Sequence, residues 1–475
     1  MSASSEADEL VWLSGFEVAR RIRSREVAPS EVIEATLRRL EEREPQINAF
    51  VTVLADEAAD HARRADAELM RTAPEDLPPL FGVPLSVKDL SPTAGVRTTF
   101  GSVAFADHVP DADSISVSRL RAAGAILIGK TTTPEFGMLG VTESELTGVT
   151  NNPWRLSRTA GGSSGGAAAA AAAGIGQLAW GSDGGGSVRI PASYCGVVGL
   201  KASLRWIPGD HPWDTAVTDG PLTRTVVDQA LLLEIASGHH PAAPFSVPHP
   251  TRGLPHRVLG ASPEFTDLRV AYAPAPSGAQ AGASVARVVA DAIAALSNAG
   301  AQVTEIELPL PDPVEYFIDF WGPAFLDPAA PLPHPAMLSV RDAASRVTLE
   351  RHLLAANVRR SEITRTYNAV FAEYDLLITP TSPVSAFPHP GDAGGNTHID
   401  GVPVAFPAID FHRYTEPASH AGIPAITVPA GFDDDGLPIG MQLHAPQHED
   451  ARLLHLAAKW EALRPWAHIR PGFQP

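Results

Sequence analysis

The chain has 475 residues, of which 44% are hydrophobic and 19% charged, a globular composition that excludes disorder. With 36 Lys and Arg against 54 Asp and Glu, its formal net charge is −18, so it repels phosphate backbones and anionic lipid and is not expected to bind nucleic acid or a membrane. A lone cysteine, Cys195, excludes an intramolecular disulfide and a Cys-based zinc cluster, and fits a reducing compartment.

The polar, acidic start MSASSEADEL lacks the basic and apolar regions of a signal peptide, so a cytoplasmic location is expected. Ser14 and Glu17 have capping-box spacing and predict a first helix. Pro29-Ser30 opens a second, with Ile33, Leu37 and Leu40 on one face, and residues 56–70 predict a third. Val83 to Val87 reads as a short apolar strand, Ser116 to Ala123 as a helix and Ala125 to Ile128 as a buried strand. Trp154 to Thr159 does not read as a strand. The charge-free stretch Thr159 to Ser182 is mostly Ala, Gly and Ser, residues that insert poorly into a bilayer, so a membrane span is not expected.

Further on, Leu268 to Tyr272 predicts a strand. Val285, Val288, Val289, Ala292, Ile293 and Leu296 form a helical stripe that Gly300 ends, and Val303 to Leu308 is the next strand. That order implies a parallel pair with a right-handed crossover. Leu376 to Thr379, Ala425 to Val428 and Ile439 to Leu443 are further strands, and a last helix runs from about Glu449 to Leu463. Gly238 to Pro263 and Pro309 to Pro335 read as excursions, the second carrying Tyr316, Phe317, Phe320, Trp321 and Phe325. The whole predicts one α/β domain.

The chemistry concentrates in residues 160–201. Gly161-Gly162-Ser163-Ser164-Gly165-Gly166 and Gly184-Gly185-Gly186-Ser187 flank an alanine helix. Such runs are most often loops, and polyalanine is most often a tightly packed helix. Glycine also lets the backbone approach a ligand, and successive free N–H groups bind an anion. A serine beside them offers a nucleophile and an oxyanion hole at one carbonyl, as acyl transfer needs. A P-loop is excluded because no Gly-Lys-Ser/Thr follows, and a dinucleotide fingerprint because the spacing is wrong. Gly161 to Gly165 satisfies G-x-S-x-G, but that elbow needs a leading strand and a late histidine. Among 17 histidines, His444 and His448 are weak candidates.

This segment resembles the signature of the amidase signature family of serine hydrolases. Phe81-Gly-Val-Pro-Leu-Ser-Val-Lys88-Asp89 resembles that family's lysine motif, and Asn152-Pro153-Trp154 its lead-in to the serine segment. Gly220-Pro-Leu-Thr-Arg-Thr225, Gly422-Ile-Pro-Ala-Ile-Thr-Val-Pro429 and Gly436-Leu-Pro-Ile-Gly-Met-Gln442 resemble later motifs. The resemblance implies a single large α/β domain, a twisted mixed sheet flanked by helices on both faces. Its parts are an N-terminal helical segment over about 10–72, a signature core over about 80–235, a variable region over about 238–420 that partly shapes the pocket, and C-terminal strands and helix over about 421–465.

By the same resemblance Ser187 matches the nucleophile, Ser163 the bridging serine that follows a cis peptide, and Lys88 the base. Gly184, Gly185, Gly186 and Ser187 match the oxyanion hole, and Ser164 and Asp183 the supporting hydrogen bonds. A lysine base must be neutral, so burial is expected to lower the Lys88 pKa from about 10.4. No cofactor and no metal are implied. The implied reaction is hydrolysis of an amide or carbamate C–N bond through an acyl-enzyme, by a monomer or homodimer acting on a small molecule. The alternative is an amidotransferase A-type subunit that releases ammonia from glutamine within a complex. Thr132-Thr-Pro-Glu-Phe-Gly-Met138 departs from the amidotransferase pattern and favours a free-standing amidase, aryl acylamidase or urethanase. Gly137, Met138 and Leu139 align with the acyl-pocket wall, and Phe320 and Trp321 are expected to shape an apolar or aryl pocket. Arg205 and Trp206, where the family pattern is broken after Lys201, are expected near the site mouth.

Overall fold

The N-terminal helices form where capping and periodicity predict them. In the computed structural model, which describes residues 9–210, 215–248, 252–326 and 334–475, Ser14 Oγ accepts from Glu17 N and caps helix Gly15–Arg23. Helices Pro29–Ile47 and Ala55–Leu69 follow and bury Val32, Ile33, Ala58 and Ala62.

Among the described residues, eleven strands form one sheet. In chain order they are β1 (Phe50–Val53), β2 (Pro84–Lys88), β3 (Ile126–Thr131), β4 (Leu178–Asp183), β5 (Val198–Lys201), β6 (Thr218–Thr223), β7 (Arg269–Tyr272), β8 (Gln302–Glu305), β9 (Leu376–Pro380), β10 (Ala425–Phe432) and β11 (Pro438–His444). Their order in space is β1-β3-β2-β4-β6-β5-β10-β11-β9-β7-β8. β2 runs parallel to β3 and β4, and β7 runs parallel to β8 and β9. The central pairings are antiparallel, so the sheet is mixed. The predicted β7–helix–β8 unit is present, its helix spanning Ala283–Asn298, although β8 ends at Glu305.

Side chains alternate across the pleat. On β4, Leu178 and Trp180 join the core under helices Val226–Ala236 and Asp450–Leu463. Ala179 faces the other way, toward helices Pro29–Ile47 and Gly165–Ala173. Helices therefore cover both faces. All nine residues of Gly165–Ala173 are buried, and a Cβ on Gly166 would lie 2.6 Å from Ala49 O, so only the smallest side chains let this helix approach. The charge-free stretch is thus a short helix, a turn and β4. Among the described residues no helix is long and apolar enough to cross a membrane.

Two expectations need correction. Arg155–Thr159 is a strand after all, paired with Asn151–Asn152 in a small hairpin outside the main sheet; its short, polar sequence hides it. The described contacts of Arg205 and Trp206 do not include Lys88, Ser163 or Ser187. Trp206 is buried in the main core, its Nε1 donating to His448 Nδ1 at 2.8 Å, and the Arg205 guanidinium stacks 4.4 Å from the Phe245 ring. The first excursion includes the short helix Leu254–Val258, and the second opens with helix Pro313–Trp321. Positions 249–251 and 327–333 of these excursions lie outside the described residues.

Candidate active site

Because β2 and β4 are parallel neighbours, their carboxyl ends lie side by side, and Lys88 and Asp183 close those ends. Lys88 is fully buried. Its Nζ donates to Ser163 Oγ at 2.7 Å, to Ser182 Oγ at 3.1 Å and to Ser182 O at 3.4 Å. Burial pushes its pKa down to about 7, against the opposing charges of Asp183 and Asp219, so the free amine is well populated at neutral pH. All five residues of β2 are buried, Leu85 and Val87 packing into the core on the opposite face of the strand, so the strand end that carries Lys88 is shut off from water.

Ser163 sits in the turn that leads into the alanine helix, after a cis Gly162–Ser163 peptide. Thr142 Oγ1 braces the turn, donating to Gly161 O at 2.8 Å and accepting from Gly165 N at 3.0 Å. Gly137 abuts it: a Cβ there would lie 3.1 Å from Ser163 Oγ. Leu139 is buried in the adjoining core cluster, and Met138 is half-buried. Ser164 joins the two serine segments. Its N–H donates to Ser187 O at 3.1 Å, and its Oγ donates to Ser182 O at 3.2 Å.

The Gly184–Ser187 loop is organised by Asp183. Its carboxylate accepts from the N–H groups of Gly186 (2.9 Å), Val188 (3.1 Å) and Arg189 (3.3 Å), and from Arg189 Nε at 2.9 Å. Burial would raise this carboxyl, but the Arg189 charge and hydrogen bonds outweigh it and hold it down to about 2. The Gly186 N–H is therefore committed to the carboxylate, whereas those of Gly185 and Ser187 have no protein acceptor among the described residues. Ser187 retains 8% exposure against 2% for Ser163, so Ser187 is the hydroxyl more open to an incoming molecule.

Sequence reasoning missed the far wall, which comes from residues 412–420. Thr415 Oγ1 donates to Gly185 O at 2.6 Å. Trp321 Nε1 donates to Glu416 Oε1 at 3.0 Å, and a Cβ on Gly184 would lie 4.0 Å from Trp321 Cζ2, which puts the indole beside the loop. Phe320 lies one layer back, packed on His420. His412, also beside Gly185, is buried with neither ring nitrogen hydrogen-bonded among the described residues; burial pushes its pKa down to about 4, so the imidazole is neutral. Residues 412–420 are more than two hundred positions from Gly185 and carry no local motif. Arg189 did carry a signal, as it closes the Gly-Gly-Ser-Val-Arg run. A separate open cavity of about 760 Å³, which includes Val314, Ile318, Phe406 and Arg413 in its lining, is not bordered by Lys88, Ser163 or Ser187.

A family model described as Amidase matches residues 31–326 and 332–454. An acylamidase of Rhodococcus erythropolis is 38% identical over 98% of both chains. The A-type subunit of a glutamyl-tRNA(Gln) amidotransferase from Moorella thermoacetica is 35% identical over 98% of this chain and 99% of its own. The crystal structure of a bacterial aryl acylamidase of the amidase signature enzymes superposes with a TM-score of 0.87 at 26% identity, covering 96% of this chain and 97% of that one.

Proposed function

The chain belongs to the amidase signature family and hydrolyses amide C–N bonds, and we propose that it does so through an acyl-enzyme on Ser187, with Lys88 as base and Ser163 as relay, on a small acylamide bearing an apolar or aryl group. The observation that carries this reading is the dry 2.7 Å contact between Lys88 Nζ and Ser163 Oγ, next to a loop with uncommitted main-chain donors.

In the proposed cycle neutral Lys88 takes the Ser163 proton while Ser163 takes that of Ser187. Ser187 Oγ forms its bond to the substrate carbonyl carbon, and the carbonyl electron pair moves to oxygen. The N–H groups of Gly185 and Ser187 receive that oxyanion; one such donor is worth about 3–4 kcal/mol to the barrier. Collapse breaks the C–N bond, and the proton returns through Ser163 to the leaving nitrogen, which would otherwise depart as a poor amide anion. Water then repeats the sequence, releasing the carboxylic acid and restoring Ser187. Gly186 serves by holding the loop on Asp183 rather than as a donor.

The half-exposed edge of Trp321 beside Gly184 supports an aryl-bearing substrate. The names of the acylamidase relatives support the same class. Carbamates share the planar carbonyl and C–N bond, and fit the same steps. A panel of anilides, small primary amides and aryl carbamates tests the reading. Turnover of anilides by the isolated chain, lost in Ser187→Ala, is expected. Glutamine-dependent ammonia release that appears only with added partner proteins would favour the amidotransferase alternative. A monomer or homodimer at a cytoplasmic location completes the proposal, and gel filtration reads the first of these.

A further inference from the structure

Glu416 is a carboxyl with 1% exposure that the proposed cycle does not use. Its Oε1 accepts from Trp321 Nε1 at 3.0 Å and lies 3.1 Å from His420 Nε2. Burial pushes its pKa up to about 8 against the Trp321 hydrogen bond and the Arg189 charge, so the carboxyl is largely neutral at pH 7. Burying such a group is costly unless its bonds do something for the fold or the site. The group is also tightly framed. His420 lies edge-on to Tyr316 and Phe320, at 4.6 and 4.5 Å between centroids. Glu416 N donates to His412 O at 2.9 Å, and the preceding Thr415 bonds Gly185 O. Glu416 is thereby fixed relative to the donor loop.

Trp321 is held from one side. It is the last residue of helix Pro313–Trp321 and only half-buried. The Phe320 and His420 rings flank it at 4.9 and 6.0 Å between centroids, and its only described polar contact is the indole N–H bond to Glu416. We infer that Glu416 is a positioning residue: it holds the Trp321 indole as one wall of the substrate site over the Gly184–Gly186 loop, and that wall takes a flat aromatic group flanking the scissile bond. The inference rests on the reading of Ser187 as the acylated residue and adds the device that sets aryl preference. A free indole would sample other rotamers, and the aryl group would lose a preformed face.

The test is a kinetic cycle on the full chain with p-nitroacetanilide and propionamide. Glu416→Leu is expected to raise KM for the anilide about tenfold, the effect of losing one orienting hydrogen bond, while kcat stays within about twofold. Propionamide, with no ring to place, is expected to be unaffected. Glu416→Gln keeps an amide carbonyl for the indole and is expected to restore the anilide KM. In a Trp321→Ala background Glu416→Leu is expected to add nothing further. Equal losses on both substrates, or additive losses in the double variant, overturn the inference. Calorimetric binding of p-nitroacetanilide to Ser187→Ala protein, with and without Glu416→Leu, reads the same wall without chemistry. A tenfold weakening there upholds the inference even if Ser187 proves not to be acylated, and unchanged affinity overturns it.

Discussion

Lys88 Nζ donates to Ser163 Oγ at 2.7 Å across a sequence separation of 75 residues, and no solvent reaches the lysine. This pairing ties pH to rate. With the Lys88 pKa pushed down to about 7, the amine is protonated below that pH and free above it. The value of kcat/KM is expected to fall about tenfold per unit as pH drops below 7, and to level off above it. A pH–rate profile on a soluble anilide checks this. Lys88→Arg, which stays protonated, is expected to lower kcat/KM by at least about 10³-fold at every pH tested.

Gly186 has φ +131, and a Cβ there would collide with Thr415 Oγ1 and lie 2.7 Å from Thr415 Cβ. Gly186→Ala is therefore expected to displace the loop from Asp183 and misplace the Gly185 and Ser187 donors. A loss of about 10²–10³ in kcat is expected, with little change in far-UV circular dichroism. The neighbouring Gly185 has only ordinary contacts, the nearest being His412 Nδ1 at 3.6 Å, so its space faces the site and a methyl group there is expected to act on KM.

Asp183 and Arg189 form a fully buried ion pair at 2.7 Å. Removing one partner leaves the other charge unpaired in a dry site. Arg189→Leu is expected to cost about 3–5 kcal/mol of stability, more than an exposed pair such as Arg20–Glu17 would. Urea unfolding at pH 7 measures it.

Legibility in the sequence followed local pattern. Helices with an apolar stripe, such as residues 283–298, and strands with continuous aliphatic runs, such as β9 and β10, were readable because their periodicity reports burial directly. β4 (LAWGSD) and β6 (TDGPLT) were not, because glycine and proline interrupt the pattern and the pairing that stabilises them is long-range. β1 lies between two helices and is four residues long, too short to show a period. Within the site, Lys88, Ser163, Asp183 and the glycine loop stood out because they lie in dense motifs. Thr415 and Glu416 did not, since nothing next to them in the chain distinguishes a site wall from core. Trp206 misled for the converse reason: it breaks a familiar pattern, yet its indole serves the core and His448.

The alanine helix is a packing requirement. Ala169 is fully buried within it, in a core where extra methylenes have no room. Ala169→Leu is expected to destabilise by about 1–3 kcal/mol. The variant is expected to retain a normal kcat/KM at about 15 °C, well below any unfolding transition of a stable domain, and to lose its activity at a lower temperature than the parent, which a thermal inactivation series checks.

The acyl-enzyme is the species on which the proposed chemistry depends, and trapping it is the most direct measurement. Acid quench of the enzyme during turnover of a p-nitroanilide, followed by proteolysis and mass spectrometry, is expected to show the substrate's acyl mass on the peptide containing Ser187. The adduct should be absent in Lys88→Ala. An adduct on Ser163 or another residue, or turnover that persists in Ser187→Ala, would contradict the assignment.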